Sequence, residues 1–134
     1  MKNNSLEEER KGQVIDSTVE CLFDAQTRFQ HHFYQPNDMT DDEKISLSKE
    51  YLLSAHKEIS EVLDCLPWKS HRKYASKEIN MEELESELID VVKFLMNVMY
   101  IWSIDSKKFV EAFYKKSKEV EERYEREKDH IKHL

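Results

Sequence analysis

Val14, Ile15, Val19, Leu22, Phe23, Phe29 and Phe33 follow one another at mixed three- and four-residue steps, the spacing that lines apolar side chains along one side of a helix. They predict a first helix from about Leu6 to Tyr34. It should stop near Gln35-Pro36-Asn37-Asp38, because proline disfavours helical geometry in the residue before it. Thr40 with Glu43 three residues on is a capping-box pattern, so a second helix should open there and run to about Leu66, where Pro67 ends it. Asn80 with Glu83 repeats the pattern and predicts a third helix through Trp102. After Ser103-Ile104, Asp105 is placed to cap a fourth helix carrying Phe109, Phe113, Val120 and Tyr124,. Its charged end, Glu121 to His133, should fray into solvent from about residue 125.

The third helix is the informative one. Leu88 to Trp102 is apolar on nearly every side, and such a helix is normally buried all round. At about 100° per residue, Glu83, Glu87, Asp90 and Asn97 fall within roughly 80° of one another, with Lys93 at the edge of that stripe. Burying carboxylates unpaired costs several kcal/mol each, so they must face cations, a metal or a wet cleft. The second helix supplies a matching pair, Glu58 and Glu61, beside an apolar face read as Leu52, Ile59, Val62, Leu63 and Leu66. Three-residue spacing points both members of a pair to one side, and two facing helices then gather four oxygen ligands. Hard oxygens in that number suit Mg²⁺, with Mn²⁺ as a substitute. The competing reading is that Glu-x-x-Glu is a common solvated helix face.

Between the two pairs, Pro67 to Ile79 gathers Lys69, His71, Arg72, Lys73 and Lys77. Lys69, Arg72 and Lys73 are candidates for phosphate oxygens; a solvated turn is the alternative. Trp68 would either stack on a ligand or, as the favoured reading, close the core. His31, His32 and His71 have no ligand spacing. Lys116 and Arg123 share a face of the fourth helix.

Composition narrows the class. One Gly and two Pro among 134 residues cannot supply the turns of an all-β fold or a glycine-rich phosphate loop, so an all-α, four-helix single domain over 1–134 is expected. The net charge of −7 opposes binding to a nucleic acid polymer. Cys21 and Cys65 form no metal spacing and read as reduced thiols. The start has no apolar signal core, and the longest apolar run, Val91 to Trp102, is interrupted by Lys93 and Asn97 and too short to span a bilayer,. A cytoplasmic protein without membrane partners is expected. Exposed aromatics at Phe33, Tyr34, Phe113 and Tyr114 point to a homo-oligomer, dimer or tetramer.

Glu58-x-x-Glu61 followed by Glu87-x-x-Asp90 resembles the divalent-metal motif of the all-α nucleoside triphosphate pyrophosphatases, the superfamily of MazG-type enzymes and dimeric all-α dUTP pyrophosphatases. The resemblance covers roughly Gln26 to Arg123. The run His56 to Asp64 leading into Pro67-Trp68-Lys69 is similar to the dUTPase branch, and Asn97 to an Asn often found in MazG proteins. Gln26 matches the Gln of a base-contacting segment in which Gln30 stands for the family's Asn. Lys116 and Arg123 match the outer cations of a late motif, with Ser117 and Val120 where the family has Asn; amides that read a base edge are thereby lost.

The resemblance implies an oligomeric MazG-like bundle. It also implies Mg²⁺-dependent hydrolysis of a nucleoside triphosphate, dUTP or another deoxynucleotide, to the monophosphate and pyrophosphate. Glu58, Glu61, Glu87 and Asp90 would hold metal, with Glu58 or Glu61 accepting the proton of the attacking water. Lys69, Arg72, Lys73, Lys116 and Arg123 would steady the triphosphate; Gln26, Asn97 and Trp68 would contact base or sugar. Two rivals stand beside it. A di-iron carboxylate bundle needs Glu-x-x-His motifs, of which only Glu127-x-x-His130 occurs, in the charged tail. A non-enzymatic helical adaptor would instead present the acidic stripe to a basic partner.

Overall fold

The structure is a computed structural model that describes residues 2–73 and 78–131, with side chains from Ser17 onward. The side chains of Val14 and Ile15, the loop residue Lys77 and His133 lie outside the described residues. The fold is all-α. Its elements are α1 (Lys2–His31), a single 3₁₀ turn (Pro36–Asp38), α2 (Asp41–Asp64), α3 (Met81–Ile101) and α4 (Ser106–Ile131). Among the described residues no helix is long and apolar enough to cross a membrane.

Helix boundaries follow local chemistry. α1 ends at His31, three residues short of the expected Tyr34. The Gln35 side chain reaches back to donate to the His31 carbonyl at 3.0 Å, satisfying one of the terminal carbonyls that a helix leaves open. Gln30 O accepts from both Phe33 N and Tyr34 N, at 2.9 and 3.3 Å, which tightens the exit. At the start of α2 the capping box forms in full: Thr40 Oγ1 accepts from Glu43 N at 3.2 Å, and Thr40 N donates to Glu43 Oε1 at 3.4 Å. At α3 the Asn80 half forms, with Glu83 N donating to Asn80 Oδ1 at 3.1 Å. Asp105 Oδ1 takes the same role for α4, accepting from Lys108 N at 2.9 Å. α2 closes at Asp64, ahead of Leu66, and Trp102 caps α3 instead of continuing it. Ser103 takes φ 59°, a left-handed turn for which a glycine-poor chain has no glycine in place.

α4 continues through the charged tail to Ile131, with Lys128 Nζ and Glu125 Oε2 paired at 2.5 Å one turn apart. Closely spaced opposite charges on a helix surface support it by a few tenths of a kcal/mol each.

The chain folds as two compact units, Met1–Phe23 with Ile104–Leu134, and Asp24–Ser103. In the first, Phe23 packs on Phe109 at 5.2 Å between ring centroids and Phe109 on Phe113 at 6.1 Å. Phe113 and Tyr114 nevertheless stay largely exposed.

The second unit is built on the α2–α3 hairpin. Trp102 Nε1 donates to Ser48 Oγ at 2.8 Å, and Tyr51 meets Phe94 at 6.1 Å. These contacts fix an antiparallel register in which Glu58 and Glu61 come level with Glu87. The C-terminal part of α1 lies across the hairpin: Tyr51 OH donates to the buried Gln30 Oε1 at 2.9 Å, and Tyr34 packs on Tyr51 and Tyr100. Tyr34 is therefore half-buried, unlike the exposed Phe33 beside it.

Two burial expectations are overturned here. α3 is not covered all round: Met81, Leu88, Ile89, Val92 and Leu95 are exposed, while Asn97 and Ile101 are buried. On α2, Leu52, Ile59 and Leu63 are exposed as well, and the face that meets α3 carries Ser48, Tyr51, Ala55 and Glu58. The reason is common to both. The two helices turn their polar stripes toward each other, so their apolar stripes face away.

Replacing Thr40 by Ala removes the hydroxyl half of the α2 cap and should cost about 1 kcal/mol. Thr40→Ser should be close to neutral. Chemical denaturation of both variants measures this, and an unchanged midpoint for Thr40→Ala would show that the cap contributes nothing.

Candidate metal centre

Glu58 and Glu61 sit one turn apart near the end of α2, and Glu87 and Asp90 one turn apart near the start of α3. Antiparallel packing brings the pairs to the same end of the hairpin. One carboxylate oxygen from each of Glu58, Glu61 and Glu87 lies within 4.8 Å of the others, and all three residues are half-buried. Asp90 lies outside that triad but close enough for its charge to act on Glu58 and Glu87.

Such proximity is electrostatically unfavourable, since like carboxylates sharing a site cannot all ionise cheaply. Glu58 is pushed up to about 7 from 4.5, first by its hydrogen bond with Glu61, then by burial, its bond with Glu87, and the charges of Glu61 and Asp90. Glu87 is raised chiefly by burial, with Glu61 and Asp90 adding, while its hydrogen bond with Glu58 acts the other way. Glu58 Oε2 and Glu87 Oε2 are buried with no hydrogen-bond partner. Orphaned buried acceptors are rare and costly. The Lys116–Glu119 and Lys128–Glu125 ion pairs involve none of the four acids.

A hard divalent cation fits this donor set. Three clustered carboxylates with two unused oxygens offer the hard oxygen ligands that Mg²⁺ and Mn²⁺ take, leaving further positions for water or phosphate.

The other expected site residues divide into three groups. Gln26 Nε2 donates to Asn97 Oδ1 at 2.7 Å, so these two amides, far apart in sequence, are brought together. The basic loop leaves α2 just after Glu61 and re-enters α3 before Glu87, which keeps Trp68, Lys69, Arg72 and Lys73 on the segment joining the carboxylate-bearing ends. Trp68 does not close the core as favoured; it is 52% exposed, with the Lys69 ammonium 5.1 Å from its ring centroid. Pro67 turns the chain out of the hairpin and carries the indole with it. Lys116 and Arg123 belong to the other unit, where both are exposed and Lys116 pairs with Glu119 at 3.7 Å.

Sequence reasoning missed the place of Cys65 beside the cluster. Cys65 caps α2, and its Sγ donates to Glu61 O at 3.4 Å. Its thiol is raised first by burial and then by the charges of Glu83, Glu87, Asp64 and Glu61. A position four residues after Glu61 was the available signal. Gln30, which stands where the family has Asn, is buried and its Oε1 accepts from Tyr51 OH. The His31 ring joins Tyr100 OH at 3.3 Å and Gln35 Nε2 at 3.2 Å. Comparison of the chain with protein-family models, with curated proteins and with solved structures gives no match.

The raised Glu58 carboxyl has a thermodynamic consequence. Between about pH 4.5 and 7 the folded chain keeps a proton that the unfolded chain has released. Fewer protons on the unfolded state mean that stability falls as pH rises through this window. Metal-free protein should therefore melt at progressively lower temperature from pH 4.5 to 7, and Glu58→Gln should flatten that slope. Thermal melts in a chelator-containing pH series test this; an equal slope in the variant would remove Glu58 as its source.

Proposed function

We propose that the protein is a metal-dependent nucleoside triphosphate pyrophosphohydrolase, cleaving a ribo- or deoxynucleoside triphosphate such as dUTP to the monophosphate and pyrophosphate. The observation that carries this reading is the convergence of Glu58, Glu61 and Glu87, two with buried, unpartnered oxygens. The ordered Glu-x-x-Glu and Glu-x-x-Asp motif adds the reaction class by resemblance.

In this reading Glu58, Glu61, Glu87 and Asp90 hold Mg²⁺. When bound, the ion supplies charge neutralisation for the phosphate oxygens and lowers the pKa of water. Glu58 or Glu61 accepts the proton of the attacking water, since a base need only reach it at hydrogen-bond distance. Lys69, Arg72 and Lys73 on the adjoining loop orient the triphosphate through charge-assisted hydrogen bonds. Lys116 and Arg123 are assigned the same task by resemblance alone. Trp68 offers an exposed ring on which a base can stack. Gln26 and Asn97 hold each other's amides in a fixed orientation, which suits them to contact base or sugar.

Pyrophosphate release from a panel of nucleoside triphosphates, with and without Mg²⁺, tests the reading. Wild type should turn over at least one substrate only with Mg²⁺ or Mn²⁺ present. Glu61→Gln and Asp90→Asn should each lower the rate by roughly 100-fold or more, the scale of losing a main source of charge stabilisation. Circular dichroism should show the helices intact in both. Mg²⁺ at about 100 times its Kd should stabilise wild type by about 2.7 kcal/mol. Full activity in either variant would refute the metal assignment. A chain with neither turnover nor Mg²⁺ stabilisation would be an adaptor.

A further inference from the structure

The polar groups of the second unit follow an order along α3. The basic loop with Lys69, Arg72 and Lys73 enters ahead of Met81, Glu87 then joins the acids of α2, and Asn97 follows, bound to Gln26 of α1 at 2.7 Å. Lys93 is the one cation in the run between Asp90 and Asn97. Asp90, Lys93, Asn97 and Tyr100 recur at three-, four- and three-residue steps, so they form one line on the helix surface. α1 meets that line at two points, Gln26 on Asn97 and the His31 ring on Tyr100 OH. Lys93 therefore lies on the α1 side of α3, one turn before the amide pair, and is exposed. At about 1.5 Å per residue, it stands about 4.5 Å along the helix axis from Asp90 and about 6 Å from Asn97.

We propose, resting on the nucleotide reading above, that Lys93 binds the phosphate next to the sugar, the one that stays on the monophosphate product. A nucleoside triphosphate has a linear order of its own: base, sugar, inner phosphate, outer phosphates. With base or sugar at Gln26 and Asn97 and the outer phosphates at the carboxylates and the basic loop, the inner phosphate passes the stretch of α3 that carries Lys93. An anion crossing there runs close to Asp90 and needs a cation to offset that charge. A lysine ammonium is a compact point charge with three donors on a flexible stem, which suits a phosphate reached from one side. The other cations assigned to substrate do not fill this place. Lys69, Arg72 and Lys73 lie beyond the carboxylates, and Lys116 and Arg123 belong to the other unit. Pyrophosphate and monophosphate are then held by separate contacts, the first by the loop and the acids, the second by Lys93 and the amides. The competing role for Lys93 is a solvated side chain that offsets Asp90 one turn away.

Calorimetric titration of the full chain tests it, with Mg²⁺ present and with dUMP, dCMP, dTMP, dAMP, dGMP and the matching deoxynucleosides as ligands. Wild type should hold at least one monophosphate tenfold or more tightly than its nucleoside. Lys93→Met should lower the affinity for that monophosphate about tenfold, the scale of one charge-assisted hydrogen bond, and leave the nucleoside bound as before. Lys93→Arg should keep most of the wild-type affinity. In turnover, Lys93→Met should raise KM and relieve inhibition by the monophosphate, with inhibition by pyrophosphate retained. Circular dichroism should show intact helices, since the position is exposed. Unchanged monophosphate binding in Lys93→Met would overturn the inference, and a change confined to Mg²⁺ affinity would do so in favour of the competing role. A wild type that turns over a triphosphate yet holds no monophosphate better than its nucleoside would overturn it too and leave the hydrolase reading standing. A wild type with neither turnover nor nucleotide binding would end both.

Discussion

Repulsion among carboxylates at the joined ends of α2 and α3 is the constraint to which the rest of the second unit answers. Glu58, Glu61 and Glu87 approach to within 4.8 Å at half-buried positions, where charge is screened less than at the surface. A fold that sought only stability would place apolar residues there, because replacing buried charges with well-packed hydrophobes is often neutral or better. The chain instead pins the acids together through contacts further along the hairpin. Ser48 with Trp102 and Tyr51 with Phe94 set the register, and Gln30 with Tyr51 ties α1 to it. Strain of this kind, held by surrounding packing, is characteristic of sites that bind or react.

The same constraint explains where the apolar surface went. With the polar stripes of both helices turned inward, Leu88, Val92 and Leu95 on α3 and Leu52, Ile59 and Leu63 on α2 are left outward.

Much of this was legible in the sequence because its signals are local. Thr40 with Glu43, Asn80 and Asp105 mark helix starts through side-chain oxygens that meet nearby backbone amides, and each does so in the structure. The two carboxylate pairs followed from helical periodicity, and three of their four members, Glu58, Glu61 and Glu87, lie together in the structure. Other features depended on distant partners and were not legible. The exit of α1 is set by the Gln35 side chain, and Tyr51 claims Gln30 across 21 residues. The outward stripe of α3 was misread as core, because periodicity identifies an apolar face without saying what covers it. Trp68 was misread likewise, since a large aromatic beside a proline fits core and exposed loop equally well.

The central claim is that the acidic cluster is a divalent-cation site. Electron paramagnetic resonance of Mn²⁺ titrated against the full chain reads this without reference to substrate or turnover. The account predicts that wild type removes free Mn²⁺ signal to a fixed stoichiometry, and that Glu58→Gln with Glu87→Gln releases it. A wild-type chain that leaves the Mn²⁺ spectrum that of the hydrated ion, or a double variant that binds it equally well, would contradict the account.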